Sequence, residues 1–161
     1  MVGHISPEEN HTLMGELADD YQKMCEFLMQ LASSMIDGGG HLAPAGVAVG
    51  RDGSCIGMMA QPTSFPIADP EEMERMLIEG LRLGVKSGEY RATGIALELR
   101  ELRREDSPTV PAIKLILESR AGQPAYYYQP FRRRWFRKPR YEPYFIVKGR
   151  SVVFDDTIEL S

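Results

Sequence analysis

Apolar residues recur at intervals of three and four near the start of the chain: Met14, Leu17, Tyr21, Met24, Leu28, Leu31 and Met35, with Ala18, Cys25 and Ala32 forming a small-residue row beside them. That spacing puts the apolar positions on one broad face of an α-helix. Ser6, Pro7 and Glu9 supply its start, the serine as N-cap, the proline at the first helical position and the glutamate able to return a bond to the cap. Asp37 and the glycines 38–40 supply its stop. At about 1.5 Å per residue a helix over 7–36 would run about 45 Å, longer than a domain of this size covers. It therefore breaks near Asn10–Thr12 or overhangs.

Farther along, the period changes. "APAGVAVGRDGSCIGMMA" predicts strands near 44–50 and 54–60, joined at Asp52-Gly53. A second helix opens with Asp69, Pro70 and Glu72, carries Met73, Met76, Leu77 and Leu81 on one face, and stops at Gly88. Then Ile95, Leu97 and Leu99 alternate with polar residues, as do Ile113, Leu115 and Leu117, predicting two half-buried antiparallel strands. "PAYYYQPF" has the aromatic content of a further strand, and "PYFIV" and "SVVF" flank Lys148-Gly149-Arg150 as a last hairpin.

The expected architecture is a single α+β domain over 1–161, a two-layer sandwich in the order α-β-β-α-β-β-β. Its antiparallel sheet of about five to seven strands carries both helices on one face. A basic aromatic loop or arm occupies 130–143. The element order is similar to that of roadblock and profilin-like scaffold domains, and its first part is similar to the cytidine deaminase fold. No residue motif accompanies the resemblance.

The composition, 43% hydrophobic and 26% charged over 161 residues, is that of an ordinary globular domain. No stretch approaches the ~18 apolar residues of a spanning helix, and the amino terminus has neither a basic nor an apolar leader region, so the expectation is a cytoplasmic chain with no membrane partner. Two cysteines, Cys25 and Cys55, fit a reducing compartment and core packing.

The net charge of −4 hides a strong asymmetry. Between Tyr126 and Arg150 eight basic residues face one acid, Glu142, a balance of +7, while the remaining 11 basic and 22 acidic residues sum to −11. Two prolines, Pro130 and Pro139, bound the densest part and predict an extended loop without ladder pairing.

Catalytic and metal-binding patterns are missing from the sequence. The three histidines and two cysteines include no pair at a ligand spacing, and neither zinc-deaminase motif occurs. "GLRLGVKS" is a near miss for a phosphate loop and closes a helix instead of opening one. Adjacent acids such as Asp19-Asp20 diverge on a helix and suit no shared proton work. The expectation is a protein with no cofactor, no metal and no enzymatic activity.

Two functional expectations follow. The first is a protein-interaction or self-associating scaffold module, a homodimer joined through the helix face of Met14, Leu17, Tyr21 and Met24. In it the basic arm lays its aromatics on the domain or its twin while the arginines meet acids there. The second is a polyanion or nucleic-acid binder, in which Arg132, Arg133, Arg134, Arg137, Lys138 and Arg140 contact phosphates and Trp135, Phe131 or Phe136 stack on bases.

Overall fold

The structure, a computed structural model, describes residues 19–59, 69–105, 107–120 and 122–154. Helix α1 spans Asp19–Asp37 and buries Tyr21, Met24, Cys25, Leu28, Ala32 and Ile36. Leu31 and Met35 lie at the margins of that face, because a helix of 3.6 residues per turn drifts away from a strict 3-4 seam. Its end is as the glycines predict: the Gly38 and Gly40 amides donate to the Ser34 and Met35 carbonyls, and Gly39 takes φ +83°. The start near Ser6 lies outside the described residues.

Strands β1 (Ala45–Gly50) and β2 (Cys55–Met59) form the expected hairpin. Gly53 sits at φ +85°, and the Asp52 carboxylate accepts from the Ser54 amide at 3.0 Å and its hydroxyl at 2.6 Å. Helix α2 (Pro70–Lys86) is capped by Asp69, whose carboxylate accepts from the Glu72 amide at 2.8 Å, and Gly88 turns the chain out at φ +79°. Gly84 lets α2 approach the sheet closely, since a Cβ there would lie 2.1 Å from the Tyr90 ring, whereas the space at Gly80 is open.

The remaining strands are β3 (Tyr90–Arg104), β4 (Ser107–Ser119), β5 (Ala125–Arg134), β6 (Arg137–Tyr141) and β7 (Phe145–Lys148). All pair antiparallel in the order β2-β1-β3-β4-β5-β6, with β7 also on β5. The α+β class, the element order and the antiparallel sheet are as the sequence predicts. The placement of the helices is not.

Val47, Gly94 and Leu117 are cross-strand neighbours beneath Leu28 of α1, and a Cβ at Gly94 would lie 3.0 Å from Leu28 Cδ1. The next row, Gly46, Ile95 and Ile116, points the other way, and Leu77 and Leu81 of α2 pack over Gly46. Successive strand residues alternate faces, so the two helices cover opposite faces of the sheet and not one. Central strands buried on both sides read as near-continuous apolar runs, and all six residues of β1 are buried.

The expected last hairpin is half right. Phe145–Lys148 is a strand on β5, but Ser151–Phe154 forms no strand. Instead the buried Glu118 carboxylate accepts from the Ser151 hydroxyl (2.7 Å) and the Val152 (2.7 Å) and Val153 (2.8 Å) amides, and Arg82 donates to the Val152 carbonyl. A buried carboxylate needs such donors. Here they come from a strap laid over the α2 side of the sheet.

Candidate functional site

The basic aromatic stretch is a β-hairpin, not a loop. Ladder pairs Phe131–Tyr141, Arg132–Arg140 and Arg134–Arg137 join β5 to β6, and Pro130 itself pairs with Ala112 of β4. Pro139 is tolerated because it lies on the edge strand β6, where the register slips between the Arg132–Arg140 and Arg134–Arg137 pairs, the two settings in which a strand can spare an N–H. Pro130 still takes part through its carbonyl, which accepts from the Glu142 amide at 2.9 Å.

The inner half of the stretch is structural. Tyr127 and Phe131 join the α1-side core, while Lys114 lies over the Tyr126 ring at 4.3 Å on the other face. Burial pushes the Tyr127 phenol far up and the Lys114 ammonium down. At the hairpin base Glu142 binds Arg132 at 2.8 Å and also pairs with Arg104 of β3. The Arg132 hydrogen bond, opposed by desolvation and aided by Arg104, holds the Glu142 carboxyl below its ordinary range.

Arg133 donates to the Gly40 carbonyl at 2.9 Å and lies 3.7 Å from Glu98, which also accepts from the Leu42 amide and pairs with His41 Nδ1 at 2.8 Å. These contacts tie the hairpin to the loop after α1. No serine, threonine or cysteine bonds to His41 among the described residues, so the His41–Glu98 pair activates no nucleophile there.

The outer half is different. Residues 132–138 are all exposed, and Trp135 and Phe136 form the turn with 85% and 93% of their surface free. Their rings meet edge to face, centroids 5.3 Å apart at 89°. Phe136 is the one non-glycine residue with positive φ among those described, at +56°, a conformation that costs a bulky residue about 1–3 kcal/mol. Arg134 donates to the Lys138 carbonyl, but neither it nor Arg137, Lys138 or Arg140 meets a carboxylate among the described residues. Arg132 stands opposite Arg140, and Arg134 opposite Arg137. Like charges directly opposed in a ladder are destabilising.

The sequence-predicted site residues therefore separate. Arg132 and Arg133 meet acids of the same chain, as an arm folded onto its domain requires, whereas Trp135 and Phe136 touch none of that domain's core. Tyr21 and Met24, expected on a self-association face, are buried under the chain's own sheet and have no surface to give a partner. Met14 and Leu17 lie outside the described residues. Sequence reasoning missed Arg104 and Glu98, which come from a strand far from the stretch; Glu142, the one acid within it, was the available signal.

Among the described residues no group of three or more His, Cys, Asp or Glu side chains is placed to hold a metal ion, and no helix is long and apolar enough to cross a membrane. No family model, curated protein or solved structure matches this chain.

Proposed function

We propose that this chain is a binding module without catalytic activity, which docks an anionic partner through the tip of the β5–β6 hairpin. One observation carries the reading: two fully presented aromatic rings sit at the end of a hairpin in which Arg134 opposes Arg137 and neither meets an acid among the described residues. A protein that gained nothing from that arrangement would bear the cost of like-charge pairing and of positive φ at Phe136 for no return. An anion at the tip relieves the first, and contact with the rings offsets the second.

The test separates the two sets of arginines. Wild type should stay on heparin into high salt, and Arg137→Ser with Lys138→Ser and Arg140→Ser should elute early with unchanged melting. Arg132→Ser with Arg133→Ser should lower melting, because those two anchor the hairpin. Elution of the wild type at low salt would remove the reading.

A second reading, self-association, is supported by a different edge. β2 ends the sheet with Ile56 and Met59 41% and 50% exposed and Phe27 beside Gly57, a strand edge that no other strand among the described residues covers and that another copy could pair with. Sedimentation at tens of micromolar giving the mass of one chain would exclude it.

A further inference from the structure

We propose that the anionic partner is a phospholipid surface, into whose interface Trp135 and Phe136 insert while the flanking basic side chains meet lipid phosphates. The inference rests on the anionic-partner reading and narrows it to one class of partner. Three features favour a lipid interface over a nucleic acid. The first is layering: the apolar groups occupy only the two-residue turn, and Arg134, Arg137, Lys138 and Arg140 stand immediately behind them on both strands. An aromatic tip with a cationic collar matches, in order, the acyl boundary and the headgroup layer.

The second is the ring geometry. Trp135 and Phe136 are perpendicular and in contact, so they cannot offer parallel platforms to two successive bases. No further platform follows along the strands, because Phe131 is buried and Tyr141, half-buried, donates its hydroxyl to Asp37 at 2.9 Å. The third is charge outside the hairpin. The rest of the chain carries −11 and would repel a polyanion that wrapped it, whereas contact through one tip does not require the partner to run along that acidic surface. The expectation of no membrane partner came from the lack of a spanning helix, and a hairpin lying on a surface needs none.

Trp135 is the only tryptophan in the chain, so its emission reports on the tip alone. With phosphatidylcholine vesicles containing phosphatidylserine, the emission of the full chain should shift to the blue and be quenched by brominated acyl chains. Vesicles of phosphatidylcholine alone should produce neither effect. Phe136→Gly keeps the reporter and relieves the positive φ, and it should weaken partition by about tenfold through loss of one inserted ring. Arg137→Glu with Lys138→Glu should abolish binding.

Emission unchanged by anionic vesicles, or partition equal with and without phosphatidylserine, would overturn the lipid assignment. Quenching by single-stranded oligothymidylate, with anionic vesicles inert, would give the hairpin to nucleic acid and leave the broader anionic-partner reading standing. Failure of heparin, vesicles and oligonucleotide together would remove both.

Discussion

The two hairpins that open and close this sheet solve the same backbone problem in opposite ways. Between β1 and β2 the positive φ falls on Gly53, the Asp52 side chain closes the turn, and Lys23 donates to the Gly53 carbonyl, so local chemistry and fold agree. Between β5 and β6 the positive φ falls on Phe136, beside an exposed tryptophan and among arginines that repel one another. The first turn obeys every local rule and stabilises the fold. Places where local rules fail are where function is expected, and the second turn fails them all.

The largest contrast should come from truncating apolar side chains at each end. Leu28 lies over Val47 of the first hairpin and Gly94 of β3, and Leu28→Ala should cost about 2–5 kcal/mol by opening a cavity. Trp135→Ala with Phe136→Ala should leave thermal melting nearly unchanged, since neither ring is buried. Equal losses in the two would mean that the tip is part of the fold.

Exchange of residue type at the two positive-φ positions should give opposite signs. Gly53→Ala meets no clash closer than 3.4 Å from Arg91 Nη2, so its cost is the dihedral alone, about 1 kcal/mol by denaturant unfolding. Phe136→Gly should raise stability by up to about 1 kcal/mol, the relief of strain being partly cancelled by the freer unfolded chain. A loss of stability on Phe136→Gly would show that the ring contributes to folding.

Acid should act on both ends, and least strongly of all. The Arg91 hydrogen bond holds Asp20 low, tying α1 to β3 near the first hairpin, and the Arg132 hydrogen bond holds Glu142 low at the base of the second. A carboxylate whose folded pKa is depressed contributes stability at neutral pH and loses it as the pH falls below its ordinary value, 3.8 for Asp20 and 4.5 for Glu142, toward its folded one. Melting should therefore decline over that acid range, and Asp20→Asn and Glu142→Gln should each flatten the decline. Among the described residues the outer arginines have no carboxylate to lose, so binding at the tip should keep its strength until the fold itself weakens.

Much of this was legible in the residues. Asp52-Gly53, Asp69-Pro70 and the glycines at 38–40 and 88 act through bonds to neighbours a few positions away, so the chain order alone placed two helix ends, a helix start and a hairpin. The basic charge of 132–140 was equally plain, but the aromatics of that stretch were expected to lie on the domain or its twin, and Trp135 and Phe136 stand exposed instead. Its shape was misread because the penalty for proline depends on which side of a strand is paired and whether the register slips, and neither is a local property.

The tertiary structure decided the rest, for one physical reason: sequence periodicity says which residues face inward but not toward what. Both helices carry an apolar face, and only the alternation of Gly46 and Val47 across β1 assigns α2 to one side of the sheet and α1 to the other. Only the fold brings Glu118 to the Ser151–Phe154 strap, and Arg104 and Glu98 to the hairpin base. Packing within one chain also consumed Tyr21 and Met24 and left Trp135 and Phe136 over. An amphipathic pattern is satisfied by any apolar surface it can reach, so the choice between core and partner belongs to the folded chain.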